Sequence, residues 1–325
     1  MKCFNIDNDL YGYFEHFYET GFSHIKYILK IYFKNILNMT NKIFVRQTCS
    51  EILIFMYLPV INSLRKYLSV INHPVINHNV WNIDFNLCNT NYNELVKGDI
   101  LIWVGINEPR SFVKFAKKGV YTIHFYLEPD VKYSNSNEIW TYSLYLYNEY
   151  IKTNKLNKLI KFIPIIYEET TNKVNYSKNT ELKLCFIGNL NFGRRDKEKI
   201  INSSNVHIKE INNLWTNKDY DNFIIKHKYI YLNLTKDNTR ALPSVRINKL
   251  LSHKCIIISE HTNSKEEELY KDFVYFKKID EIGDFYKSFL TKSNTELEEI
   301  AENIHQKFLS IFKFEHAISL IKKSH

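Results

Sequence analysis

Apolar positions along the chain fall into two kinds of run. Unbroken runs of strand length, at 99–104, 120–127, 182–187, 229–234 and 255–259, alternate with stretches where apolar side chains recur every three or four residues. The first kind reads as strands buried on both faces, the second as amphipathic helices laid across them. Residues 99–127 show the unit most clearly. A strand ends at Val104, Gly105 and Pro109 mark the turn and helix start, and Phe112, Phe115 and Ala116 give the buried face. Gly119 closes the helix and a second strand follows. This is a β-α-β unit of a parallel sheet.

Upstream, 52–58 reads as a strand and 60–70 as its helix, divided by Pro59. Residues 22–37 have helical spacing with Lys26, Lys30 and Lys34 as a basic stripe. They read either as a surface helix or as one resting on an anionic membrane surface. The rest of 1–48 carries no assignable pattern. Downstream, 138–141 reads as a short strand, 143–152 as a helix and 159–166 as a strand. The polar interval 168–180 reads as a linker. A second series follows: strand 182–187, turn 188–193, helix 195–203, strand 206–208, helix 219–225, strand 229–234, a helix opening near Pro243, strand 255–259 and a short strand 273–276. Leu297, Ile300, Ile304, Phe308 and Ile311 mark a C-terminal helix. The expected fold is α/β, with two Rossmann-like domains and C-terminal helices. The boundaries are 1–167, linker 168–180, 181–292 and helices 293–325.

Composition narrows the partners. The 325 residues are 45% apolar and 24% charged, an ordinary globular balance. The formal charge of +9 is spread along the chain without a basic block, and Asn, Ile, Lys and Tyr are abundant together, as in coding from an AT-rich genome. No nucleic-acid partner is expected. The five cysteines, Cys3, Cys49, Cys88, Cys185 and Cys255, form no C-x-x-C pair and suit a reducing compartment. The first 20 residues mix acids and aromatics, which predicts no secretory leader, and the run 52–61 is about half a membrane span. The expected location is cytoplasmic, with any peripheral membrane contact through 22–37. Asp7-Asn8-Asp9 has the D-x-D form used by metal-dependent nucleotide-sugar enzymes of another fold, but without a strand before it a capping or loop role is expected. His73 and His78 read as loop histidines. No metal site is expected.

Candidate chemistry gathers around 229–260. On a helical wheel Arg246, Lys249 and His253 share one face, opposite Ile247, Leu250 and Leu251. A cationic stripe beside a strand-loop-helix turn suggests an anionic ligand. Ligands of parallel sheets bind beyond the carboxyl ends of strands, where Asn107, Glu108, Glu128 and Asp130 lie in the first half.

From Phe186, the stretch FIGNLNFGRR resembles the motif that opens the nucleotide-binding domain in a bacterial and viral branch of single-chain GT-B glycosyltransferases. FYLEP with the later IWTYS, LPSVRINKLLSHKCIIISE and EELYKDFVYF resemble the same branch in the same order, over about residues 98–285. The resemblance implies a nucleotide-diphosphate sugar donor held by the C-terminal domain, an acceptor (glycan, protein or lipid) held by the N-terminal domain, and no cofactor. A departing diphosphate develops negative charge, which without a metal calls for fixed cations and a helix N-terminus.

The donor-binding residues that follow are Gly188, Asn189, Arg195, Arg246, Lys249, Glu260 and Glu267. Arg246 suits a bidentate phosphate contact, and Glu260 and Glu267 suit ribose or sugar hydroxyls. Arg194 reads as a surface partner, and for Glu266 and Glu267, which open the next helix, helix-dipole capping serves nearly as well as a contact to such hydroxyls. If the reaction inverts the anomeric centre, the acceptor proton needs a base: Glu128, with Glu108 next, while His124 reads as a core histidine. One departure stands out. The related branch commonly carries a glutamate three residues before the arginine matching Arg246, and here that residue is Pro243, which suits the first position of its helix. A catalytically silent GT-B-like protein that binds a nucleotide or glycan is therefore the competing expectation.

Overall fold

The computed structural model describes residues 42–47, 51–70, 82–84, 92–105, 111–127, 134–153, 158–178, 180–212, 214, 217–236 and 240–323. The readings made for 22–37, Asp7 to Asp9, His73, His78, Asn107, Glu108, Glu128 and Asp130 lie outside them.

In the first unit the elements are β1 (Lys42–Gln47), α1 (Glu51–Leu68), β2 (Asn82–Asp84), β3 (Ile100–Gly105), α2 (Phe112–Lys117), β4 (Tyr121–Tyr126), β5 (Glu138–Thr141), α3 (Leu144–Thr153) and β6 (Leu159–Phe162). In the second they are β7 (Lys183–Ile187), α4 (Arg195–Asn202), β8 (Ile208–Ile211), α5 (Asn217–Lys226), β9 (Tyr229–Asn233), α6 (Ser244–Ser252), β10 (Ile256–Glu260), α7 (Glu267–Tyr270), β11 (Tyr275–Lys277), α8 (Ile279–Leu290) and α9 (Asn294–Phe312). The chain closes with α10 (Phe314–Ala317) and β12 (Lys322–Lys323). Among the described residues two sheets form, in the orders β12-β6-β5-β4-β3-β1-β2 and β11-β10-β9-β7-β8. Every pairing is parallel except that of β12 with β6. The chain is therefore α/β with two Rossmann-like sheets, as expected. Parallel strands need a covering layer on both faces, which is why β3, β9 and β10 are buried at every position.

Three readings are corrected. The run 52–58 is not a strand: α1 spans 18 residues and passes through Pro59. An unbroken apolar run fits a helix as well as a strand, and here it forms the first turns of α1, whose later turns bury Val60, Ile61, Leu64, Tyr67 and Leu68. The Ser63 hydroxyl donates to the Pro59 carbonyl (2.7 Å), a carbonyl inside the helix. Second, β1 lies in a stretch where no strand was read, yet it sits inside the first sheet between β3 and β2. Its Arg46 is 2% exposed and pairs with Asp84 (2.7 Å), so a charge interrupts the apolar pattern without marking a surface. Third, β6 ends at Phe162, and Ile163, Ile165 and Ile166 continue into the first core outside any strand.

Two segments bind the units together. The polar interval 168–180 is packed: Val174 and Tyr176 are buried in the second core, where the Tyr176 hydroxyl donates to the Tyr229 carbonyl (3.0 Å) and accepts from the Ile256 N–H (2.9 Å). At the far end α9 lays Leu297, Ala301, Ile304, Phe308 and Phe312 on the second core. The chain then crosses back, putting Ala317 into the first core and β12 beside β6. Both crossings touch, since the Tyr167 N–H donates to the Phe312 carbonyl (2.7 Å). Helix α6 faces the first unit, packing Val245 on its core and donating from Asn248 to the Ile165 carbonyl (2.8 Å). Cys185 and Cys255 are free and buried.

Candidate functional site

Strands β7 and β9 end at one edge of the second sheet, where α4 and α6 begin. Beyond β7 the backbone turns at Gly188, whose φ of 143° suits glycine. A Cβ there would stand 3.0 Å from the Phe186 ring and 3.4 Å from Arg246 Nη2. Phe186 is fully buried, and two guanidinium groups share its ring: Arg246 at 4.9 Å from the centroid and Arg194 at 5.5 Å. They also share an acceptor. The Leu234 carbonyl, just past β9, accepts from Arg194 Nε (3.0 Å) and Arg246 Nη1 (3.3 Å), while Arg246 Nη1 also donates to Asn233 Oδ1 (3.2 Å). Asn233 is held in turn by Ser259 (2.9 Å).

Electrostatics mark this pair. Arg246 keeps some surface, yet burial pushes its guanidinium down to about 10, and the neighbouring Arg194 adds to the effect. Two like charges in a dry setting penalise each other, and an anion between them relieves both. Helix α6 has no acidic residue in its first turn, so its positive end adds to the field. Chemically, the site is a fixed, partly dehydrated double cation at the carboxyl ends of two parallel strands.

The two neighbouring arginines exchange the roles expected of them. Arg194 is buried and holds the turn by donating to the carbonyls of Asn189 (3.1 Å) and Phe192 (3.0 Å). Arg195 is exposed and points away, donating to Asn191 (2.7 Å) and pairing with Glu198 (2.5 Å) and Glu210 (3.5 Å). Its hydrogen bond with Glu198, ahead of burial acting the other way, raises its pKa. The turn through Gly193 (φ 66°) sets this order, because it aims the residue before the helix inward. Asn189 shapes the same turn by accepting from the Asn191 N–H (2.8 Å). Pro243 sits just before the first helical residue, and its carbonyl accepts from the N–H groups of Arg246 (3.0 Å) and Ile247 (3.1 Å).

The cationic stripe divides. Lys249 is 8% exposed and lines, with His253, a cavity of about 380 Å³ whose walls include Asn62, Arg65, Glu168 and Asp221, and not Arg246. Burial pushes Lys249 down to about 8, against the attraction of Glu168 and Asp221. Its ammonium lies 4.4 Å from the Tyr220 ring centroid. Thus one helix face serves two places, Arg246 at the strand ends and Lys249 in the cavity walled by both units.

The carboxylates are committed to the fold. Glu260 is buried beside the site. It accepts from the Thr235 N–H and hydroxyl (2.7 Å for the hydroxyl) and pairs with Lys197 (2.9 Å). Glu267 accepts from the Thr262 N–H and hydroxyl, the Asn263 N–H (2.8 Å) and His261 (2.7 Å). Burial raises Glu267, and these bonds outweigh it, leaving the carboxyl below its ordinary value. Neither offers the open oxygen expected of it. His124 is buried and donates to the Gly105 carbonyl (3.1 Å), as a core histidine should. Glu108 and Glu128 lie outside the described residues, although the Leu127 carbonyl is held by the Tyr142 hydroxyl (2.9 Å). Sequence reasoning missed Arg194 and Asn233, and neither carries a signal that sets it apart from its neighbours. Among the described residues no group of three His, Cys, Asp or Glu side chains converges as a metal site, and no helix is long and apolar enough to cross a membrane.

No family model matches the chain, and no curated protein matches it. Among solved structures it is similar to T4 phage BGT in complex with UDP and Mn2+, at 12% identity and a TM-score of 0.49 over 86% of this chain and 99% of that one. It is similar also to the apo form of the lipopolysaccharide outer core galactosyltransferase WaaB, at 11% identity and 0.43 over 84% and 99%. TarM matches at 12% identity and 0.41 over 69% and 54%. The likeness is one of fold, in keeping with the two parallel sheets.

Proposed function

We propose that the chain is a GT-B glycosyltransferase that moves a sugar from a nucleotide-diphosphate donor to a glycan, protein or lipid acceptor. The observation that carries this is the Arg194–Arg246 pair over Phe186. Breaking the anomeric bond leaves a diphosphate whose charge grows in the transition state. Cations already in place and already partly stripped of water stabilise it most there. In this reading Gly188 lets the diphosphate approach the backbone, Arg246 and Arg194 neutralise it, and the positive end of α6 assists. The leaving group is stabilised by these groups in place of a metal. Acceptor deprotonation, if the reaction inverts, falls to Glu128 or next to Glu108.

The commitment of Glu260 and Glu267 to the fold, with Pro243 at the mouth of α6, favours one second reading: a protein that binds a nucleotide diphosphate without turnover. The two are separated by incubating the purified protein, with a metal chelator present, with a panel of nucleotide sugars. Release of nucleoside diphosphate by the wild type, lost in Arg246→Met, supports the enzyme. Diphosphate binding without release from any donor supports the silent form. No binding of any nucleotide sugar overturns both.

A further inference from the structure

One buried carboxylate joins the units at the amino end of α6. Glu266, 2% exposed, belongs to the second unit and precedes α7. Its Oε1 accepts from the Ser143 hydroxyl (2.7 Å) and the Tyr145 N–H (2.9 Å), both at the start of α3 in the first unit. Its Oε2 accepts from the Leu242 N–H (2.6 Å), one residue before Pro243. Ser143 in turn accepts from the Leu146 N–H (3.3 Å). Helix α3 carries no acid in its own first turn. Its N-terminus is capped partly by its own serine and partly by an anion from the other unit, where a negative charge is stabilising.

Placement gives this contact its consequence. The other hydrogen bonds described for α6 to this side lie further along it, from Asn248 to the Ile165 carbonyl (2.8 Å) and between Ser252 and the Glu168 N–H (3.1 Å), while near its start Val245 makes an apolar contact with the first core. None of those hydrogen bonds holds the chain that leads into the helix. Glu266 adds a second point of attachment. On one side it holds Leu242, which leads through Pro243 to Arg246. On the other it holds Ser143, whose neighbour Tyr142 fixes the carbonyl before Glu128.

Resting on the glycosyl-transfer reading, we infer that Glu266 is a positioning residue for the transfer: it sets the mouth of α6, with its arginine, against the first-unit strand ends that lead to the acceptor side. It touches no substrate. Its effect is on the geometry between donor and acceptor, to which transfer rates are steeply sensitive.

Two variants cut the contact differently. Ser143→Ala removes the bond to Glu266 together with the longer cap on the Leu146 N–H, both on the first-unit side, whereas Glu266→Gln presents an amide that donates toward N–H groups at one end or the other. For Ser143→Ala, kcat for transfer is expected to fall about tenfold, the worth of one hydrogen bond. The affinity for ADP, GDP, UDP or CDP, whichever the wild type binds best, is expected to stay as it is. Ser143→Thr, which keeps the hydroxyl, restores kcat. Glu266→Gln loses about a hundredfold in kcat, and amide exchange speeds up at both Tyr145 and Leu242. Wild-type kcat in both variants, failure of the threonine to rescue, or a nucleotide affinity that falls in step with kcat in Ser143→Ala overturns the inference. If the wild type turns over no donor, the transfer reading has failed separately. Amide exchange then decides whether Glu266 joins the units, unchanged rates in Glu266→Gln meaning that it does not.

Discussion

Arg246→Met separates what a buried cation does for binding from what it does to stability. Methionine keeps an unbranched apolar stem against Phe186 and gives up the charge. In the folded protein burial, and after it Arg194, hold Arg246 down at about 10. A base whose folded pKa lies below its unfolded one costs the folded state at every pH below the folded value. A displacement of this size corresponds to roughly 3 kcal/mol. Against that gain the variant loses the cation–π contact, about 1 kcal/mol, and the bonds to Asn233 and Leu234, about 1 kcal/mol each. Unliganded stability is therefore expected to stay within about 1 kcal/mol of wild type, a Tm change of up to ~4 °C. Diphosphate binding should behave oppositely. Losing charge-assisted bonds of about 1.5–3 kcal/mol each weakens affinity on the order of a hundredfold. Thermal unfolding without ligand and calorimetric titration with a nucleoside diphosphate read the two effects separately. A variant that loses more than about 3 kcal/mol of stability while keeping its diphosphate affinity refutes the reasoning, because Arg246 would then be a strut.

The exchange of roles between the paired arginines is checked by titrating the same diphosphate into each variant: Arg194→Ala weakens binding and loosens the turn, whereas Arg195→Ala leaves affinity unchanged. Gly188→Ala, at φ 143° and 3.0 Å from the Phe186 ring, should cost roughly 1–3 kcal/mol in urea unfolding and reduce diphosphate affinity. Lys249→Met should leave that affinity as it is. Burial depresses Lys249 to about 8, so its charge costs stability fully below that pH, and the cost fades as pH rises toward the unfolded value. Wild-type stability should accordingly gain from this group between about pH 8 and about pH 10. The difference between urea midpoints of wild type and Lys249→Met over that range measures it, and a flat difference contradicts the assignment.

The β-α-β order was legible because strands buried on both faces show as unbroken apolar runs, and β3, β4, β7, β9 and β10 are of that kind. The same signal misled at 52–58, where a run is equally apolar in a packed helix, and failed at β1, where Arg46 is buried by an ion pair that involves a residue far along the chain. Within the site, Arg246 was legible from its place at the start of a helix after a strand. Arg194 and Arg195 are identical in type and adjacent, so only the turn through Gly193 decides which faces inward. Lys249 stands one turn along from Arg246, and the wheel shows a shared face correctly. It cannot show that Lys249 lines a cavity from which Arg246 is absent. Among Glu260, Glu266 and Glu267, the donors that saturate each carboxylate arrive through tertiary packing.

The returning β12 also bears on how the protein is made. The first sheet's edge strand β6 finds its partner in Lys322 and Lys323, which leave the ribosome only after the whole second unit. During synthesis the first sheet therefore stands complete but for one edge, and an open edge is where foreign strands attach. Dividing the chain at 168–180 would leave that edge of the first unit without its cover.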